Sequence, residues 1–501
     1  MSNDYKKYLK ITAKQSGLTF SIRVISYILS FFLQALFARL LGSNNYGLYA
    51  LGFNLVSMAI IFTTFGMPSA MPRFLGEFLG KKEYNKSKSI INAGFLIVSL
   101  TSVLAFFVLI IFKNTISIKI FNKPELEKLL PYFGLILIIN SFLSLFSGLF
   151  RGIKNPSKFS FHKDLNERII RIGLFIGLYY LGFRLFGAII STIMSNLIIM
   201  IILFYEFYKT KLIDFSVKPK FSELKDVFKY SLTMFFVGVT SFLLNQVNIT
   251  ISGMYLESSK VAIYSISNTI ATLSTFFLTS INSVFAAVIS ELFHTNKIED
   301  LKRLYSTIIR LVIIFTTPLT IWLTMYSKEI LNFFGKEYIN GYIVLVFLAL
   351  GQFANAVVGP NGLMLAMTKY QKFSLINGIL IATLNISLNI ILIPKLGIVG
   401  SAIAGTTAIT SINILKSIEV YFLLKIQPYD RKIIKPIISG LLTVIVIFVI
   451  KNLYNSFNIF FVGLMLIISY SVFVLIQTIL RWDKDDLELL KALIRKIRNK
   501  V

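Results

Sequence analysis

Arg23, Arg39, Arg310 and Lys416 stand inside long apolar runs of this 501-residue chain. Hydrocarbon penalises a cation, so such residues face a cavity, a partner or the nearer headgroup layer. The chemistry they offer is anion recognition: a guanidinium fork bonds two phosphate oxygens at once, and an ammonium supplies a compact charge. Acids inside the runs are fewer, Glu206 and Glu419, both towards the same side as the basic connectors. Lys416 and Glu419, spaced i and i+3, can pair on one helix surface. Arg39 lies near the outer end of its run, where anchoring at the interface competes with ligand contact. Arg23 and Arg310 lie about one to two turns in from the other surface, where snorkelling and a cavity-facing role stand equally open. Gln34, Asn54, Gln246 and Asn355, with Asn140, Asn196, Asn248, Asn268 and Gln352, could hydrogen-bond sugar hydroxyls. No carboxylate falls near the middle of a run. A cavity among these groups is therefore neutral to positive, which suits an anionic ligand better than a cationic drug.

The elements that must hold these residues are membrane helices, since about 20 apolar residues span a bilayer core. Runs of that kind cover residues 17–41, 46–68, 89–112, 131–150, 168–183, 185–207 and 229–252, which we call spans 1 to 7. Spans 8 to 14 cover 261–290, 304–326, 340–366, 373–394, 397–424, 432–453 and 459–480. The expected fold class is all-α, a polytopic membrane protein with about 14 transmembrane helices. Gly42, Gly47 and Gly66 mark span ends as turn punctuation. Asn385 and Asn389, one turn apart on span 11, could glue helices together or line a cavity. Pro318, Pro360 and Pro394 can kink or end spans 9, 10 and 11.

Composition agrees. The chain is 55% hydrophobic and 15% charged, with 51 Lys and Arg against 23 Asp and Glu. A net charge of +28 on a soluble protein would suggest nucleic acid. Here the basic residues gather in alternate connectors, roughly 37 on one side and 10 on the other, so retention on the cytoplasmic side explains them and nucleic acid is not an expected partner. Both termini are then cytoplasmic, in a multi-pass protein of the cell membrane. Residues 1–16 are polar and basic, and span 1 is too long for a cleavable signal. There is no Cys, hence no disulfide or thiolate site. No cofactor or metal is expected. His162 and His294 fall in connectors, the outer connectors are short, and no acid pair is spaced for catalysis, so an enzyme is not expected. The segment 483–500 alternates Leu or Ile with Lys or Arg at helical spacing, which fits either an amphipathic surface helix or a solvated basic tail.

A weak internal repeat lays Ala38–Tyr49 over Gly253–Tyr264 without gaps, each stretch closing one span and opening the next with a small-apolar-Tyr step. Duplication would make two six-helix lobes of equal orientation: residues 1–207, a cytoplasmic linker at 208–228, and residues 229–424. Residues 425–501 add two helices and a basic tail. Parallel repeats of this kind are transporter architecture.

The order of local motifs resembles a known family. Phe37-Ala38-Arg39-Leu40-Leu41-Gly42, Tyr46-Gly47-Leu48-Tyr49 and Phe65-Gly66-Met67-Pro68 with Arg73 open the chain as polysaccharide-biosynthesis flippases do. Tyr264-Ser265-Ile266-Ser267, Phe334-Gly335-Lys336-Glu337-Tyr338 and Leu384–Asn389 with Ile393-Pro394 and Gly397–Ala404 continue the likeness in order. These are the Wzx-type lipid-linked oligosaccharide flippases of the multidrug/oligosaccharidyl-lipid/polysaccharide exporter superfamily. The resemblance implies two pseudo-symmetric six-helix lobes around a central cavity. It also implies translocation of a polyprenyl-linked oligosaccharide, with membrane lipids and other glycan-assembly membrane proteins as partners. An ion-coupled exporter of small soluble molecules on the same fold is the alternative.

Overall fold

Hydropathy becomes helix over nearly the whole chain in the computed structural model, which describes residues 3–219, 221–368, 370–427, 429–454 and 458–488. Among the described residues there is no strand. The side chains of Arg23 and His294 and the segment 489–501 lie outside the described residues, and with them most of the expected amphipathic tail. Eleven helical segments are long and apolar enough to cross a membrane. Two of them are double. Asn3–Thr64 holds spans 1 and 2, broken at Gly42, and Gln371–Leu424 holds spans 11 and 12, broken at Gly397. Each of these glycines takes a positive φ (74° and 57°) that a side chain would resist, so one residue reverses the chain. Span 5, assembled from three pieces between Pro156 and Tyr180, is missing from the eleven because Lys163, Asp164, Glu167, Arg168 and Arg171 make it too charged. With it, the helices follow the expected order of spans.

The chain divides into two compact units, Met1–Ala262 and Ile263–Val501. In the first, Pro124–Gly152 is the central helix. Its Leu145, Phe146 and Leu149 pack with Met71, Phe95 and Leu203 from neighbouring helices. The two stretches of the internal repeat meet here, Gly47 lying so close to Ser258 that a Cβ would fall 1.8 Å from its carbonyl oxygen. That closeness, more than turn punctuation, explains Gly47. In the second unit, Ile298–Met325 takes the central place, with Tyr305, Ile309 and Val312 against Met364, Leu365 and Val420. Large apolar side chains such as Leu104, Ile111, Ile467 and Leu475 remain more than half exposed. They are the faces turned to lipid, where burial against protein is unnecessary.

A polar clamp ties the connector after span 6 to span 3. Asn92 Nδ2 donates to the carbonyls of Asp214 (2.7 Å) and Val217 (2.8 Å), and Lys88 Nζ to the Asp214 carboxylate (2.9 Å). Hydrogen bonds from the Ser216 hydroxyl, then from Lys88 and the Ser216 amide, hold the Asp214 carboxyl down at about 2. A depressed carboxylate contributes fully above its ordinary value of 3.8 and loses its contribution only as pH falls through about 2. Limited proteolysis of the connector at 208–228 should therefore run equally slowly at about pH 4 and pH 7. Asp214→Asn should speed it at both; a slow rate in that variant would show that the carboxylate does not hold the connector.

Candidate functional site

The Pro156–Tyr180 helix carries Lys163, Asp164, Glu167, Arg168 and Arg171, the first three of which lie before the expected start of span 5 at residue 168. Pro156 opens it, and a π-turn at Phe161–Asn166 passes into α-helix at Glu167 without a break. Such turns widen a helix locally and recur at functional sites. Lys163, Glu167 and Arg171, each four residues apart, share one face. Glu167 is 2% exposed and accepts from Arg171 Nε (2.6 Å) and Ser195 Oγ (2.8 Å). Ser195 lies eleven residues into the Arg184–Tyr208 helix, about 16 Å along its axis. The expectation that no carboxylate lies near mid-span is thus corrected. Glu167 is one, but the guanidinium beside it neutralises it.

Around this pair, Tyr49 and Thr192 share a hydrogen bond of 3.0 Å. Arg168 donates to the Ser30 hydroxyl and to the Asp164 carbonyl. Lys163 Nζ donates to Asn196 Oδ1 at 2.5 Å, and the Nδ2 of that fully buried amide finds no acceptor. Lys163 therefore has hydrogens to spare, and Asn196 presents an unmet donor beside it. This seam through spans 1, 2, 5 and 6 can receive an acceptor-rich, anionic group.

The residues singled out from the sequence fall in several places. Arg23 lies outside the described residues. Arg39 is exposed beside the Gly42 turn. Gln34 accepts from Tyr46 across that turn, at 3.4 Å. Asn54 and Gln246 come together: Asn54 Nδ2 donates to the Gln246 carbonyl (3.2 Å) and Oε1 (3.3 Å), while Asn54 Oδ1 accepts from Thr250 (2.6 Å). Gln246 is where span 7 breaks between helices Phe221–Asn245 and Val247–Tyr255, and Asn54 adds a second donor to its carbonyl, which also accepts from the Ile249 amide (3.1 Å).

In the second unit Arg310 is not open to headgroups. It is 2% exposed, with Nε on Asp486 (3.0 Å), Nη1 on Asp430 (2.8 Å) and Ser306 (3.1 Å), and Nη2 on Thr307 (3.1 Å) and Asp486 (2.9 Å). Lys432 to Asp483 (2.9 Å) and Arg303 to Asp485 (3.0 Å) close the outside of this knot. A phosphate would have to displace carboxylates to reach Arg310. Asn355 Oδ1 accepts from Asn413 Nδ2 (2.9 Å) on span 12. Lys416, close by on the same span, does not pair with Glu419, which accepts instead from Asn377 Nδ2 (2.5 Å). Asn385, Asn389 and Ser401 form a buried ladder between spans 11 and 12, the gluing role. Among the described residues no group of His, Asp or Glu could hold a metal ion.

Residues 12–293 match the family described as polysaccharide biosynthesis protein. The chain belongs to that family. Residues 233–391 also match the MatE family, in keeping with the wider exporter superfamily of multidrug, oligosaccharidyl-lipid and polysaccharide carriers. An uncharacterised membrane protein of Methanocaldococcus jannaschii is 23% identical over 87% of this chain and 90% of its own. The probable low-salt glycan biosynthesis flippase Agl15 of Haloferax volcanii is 22% identical over 85% of this chain and 88% of its own. A solved structure of lipid II flippase MurJ in an inward closed conformation superposes with a TM-score of 0.72 at 21% identity, over 92% of this chain and 98% of that one. At that identity the likeness speaks for the fold. This family member is thus a multi-pass membrane protein of a flippase and transporter family.

Proposed function

We propose that the protein moves a polyprenyl-linked, phosphate-bearing oligosaccharide from the inner to the outer leaflet by alternating access, for surface glycan synthesis. The observation that carries this is the state of the charges inside the spans. Glu167 is bonded to Arg171, Glu206 to Lys158 and Glu419 to Asn377, while Lys163 and Lys416 keep hydrogens to offer. Binding sites that leave cationic donors open and carboxylates closed favour an anion. The buried amides and hydroxyls of the first unit suit sugar hydroxyls. In this reading both termini are cytoplasmic, as the basic connectors favour. Residues 1–207 and 229–424 are the two repeated lobes, joined by 208–228 and extended by 425–501. Other membrane proteins of glycan assembly would supply and consume the lipid-linked sugar. The second reading, an ion-coupled exporter of small soluble molecules, draws on the MatE match over residues 233–391.

Reconstitution decides between them. A headgroup-labelled polyprenyl-pyrophosphate oligosaccharide in liposomes should become accessible to a membrane-impermeant quencher faster when the protein is present. Efflux of a cationic dye without movement of the lipid would overturn the flippase reading in favour of the exporter.

A further inference from the structure

Lys416 is the half-buried cation of the second unit for which, among the described residues, neither a hydrogen bond nor an ion pair is found. It lies eight residues, about 12 Å, from the end of span 12 at Leu424. A bare ammonium at that depth is unfavourable, and such a group normally has a partner. The nearest carboxylate in the sequence, Glu419, is held by Asn377, whose own Oδ1 has no donor. The charge of Glu419 still reaches Lys416, but no bond joins them, and the ammonium's hydrogens are left to offer.

The surroundings say to what. Span 10 is interrupted beside it: one helix runs Tyr342–Val357, the next Asn361–Ala366, with Gly359 at φ 72° followed by Pro360. Non-helical backbone is tolerated at membrane depth where it is buried in protein or lines a cavity. Gly362 faces the ammonium, and a Cβ there would fall 3.6 Å from Nζ, so the absence of a side chain leaves an approach open. The interruption is fixed to span 12 by amides: Asn361 Nδ2 donates to the Asn413 carbonyl (2.9 Å) and to Ser417 (3.3 Å), and Asn413 holds Asn355. The break and the lysine are therefore one rigid feature.

We propose that Lys416 is the phosphate-contacting cation of the second unit, and that Asn377 keeps it available by withholding Glu419. The ligand is the phosphate or pyrophosphate of the lipid-linked substrate, so this inference rests on the flippase reading above. An ammonium suits the task as a compact charge with three hydrogens for non-bridging phosphate oxygens.

The test uses the full chain in liposomes and the labelled polyprenyl-pyrophosphate oligosaccharide. Loss of one charged hydrogen bond to phosphate should raise KM for Lys416→Gln by about tenfold, with Lys416→Arg keeping most of the affinity. Asn377→Leu should weaken the substrate similarly without touching the lysine, because freed Glu419 can then bond it. Adding Glu419→Gln to Asn377→Leu should restore KM, a rescue that a merely structural role would not produce. A neutral polyprenyl glycoside should be indifferent to all four changes. Inorganic pyrophosphate should compete with the lipid-linked substrate in the wild type and lose that effect in Lys416→Gln; competition unchanged in that variant would overturn the contact. Wild-type transport that persists with unchanged KM in Lys416→Gln overturns this inference alone. Failure of the wild type to move any probe removes the flippase reading and this inference with it.

Discussion

Arg310→Ala is expected to lower stability by about 3–5 kcal/mol, because it strands Asp486 and its neighbours without their counter-charge in a buried place. Asp486 is 2% exposed, as is Arg310 itself. The damage should centre on the last two helices. Span 14 also meets the Ile298–Met325 helix through Trp322 Nε1 on the Val462 carbonyl (2.8 Å) and Ser469 Oγ on that of Pro318 (3.0 Å), and span 13 packs Gly440 against Thr317 of the same helix. The knot adds the only multiple ion pairing between them found among the described residues near Asp430 and Asp483. Thermal unfolding in detergent measures the loss, and protease cleavage between spans 12 and 13 locates it. Arg310→Leu combined with Asp486→Leu should recover much of the stability, since apolar volume replaces a buried pair at little net loss. A single Arg310→Ala variant that melts within a degree or so of wild type would show that water already reaches the knot.

Glu167→Ala should be nearly as severe, again about 3–5 kcal/mol, since Arg171 and Ser195 lose their shared acceptor inside the first unit. Glu167→Gln separates charge from shape. It keeps an acceptor for Ser195 but leaves Arg171 and Lys163 with two positive charges and no negative one between them. We expect it to fold with reduced stability and to bind anions more strongly, at the expense of release. In the labelled-lipid assay this appears as a lower KM together with a lower maximal rate. A Glu167→Gln variant with both parameters unchanged would show that the seam does not meet the substrate.

What could be read in advance depends on distance along the chain. Apolar runs report themselves, which is why the all-α polytopic fold and its crossings follow from hydropathy, and why Gly42 and Gly397 sit where a turn is needed. Span 5 did not report its true extent. Lys163, Asp164 and Glu167 fell in the expected connector, and only contact with Ser195 and Asn196 on the next helix makes them tolerable inside. Arg310 was visible as an anomaly, but its carboxylates stand 120 and 176 residues further on, beyond any local pattern. Lys416 misled in the opposite way. Its i+3 neighbour offered an obvious partner, and a competitor 42 residues before that neighbour takes it. Asn54 and Gln246 were both noticed as polar residues in spans; that one bonds the other at a helix break needed the fold.

The charged Pro156–Tyr180 helix has a bearing on how the protein is made. On the scale by which the insertion machinery admits segments to the bilayer, each Lys, Arg or Asp near a helix centre is unfavourable by about 2.5–3.5 kcal/mol. Its ten Ile, Leu and Phe residues, favourable by only about 0.3–0.6 kcal/mol each, cannot offset five such charges alone. We expect the helix to wait at the translocation channel until Arg184–Tyr208 has emerged behind it, and the two to enter lipid as one hairpin in which Ser195 and Asn196 bond Glu167 and Lys163. A ribosome stalled after span 5 should leave that segment outside the bilayer, and one stalled after span 6 should find both within it.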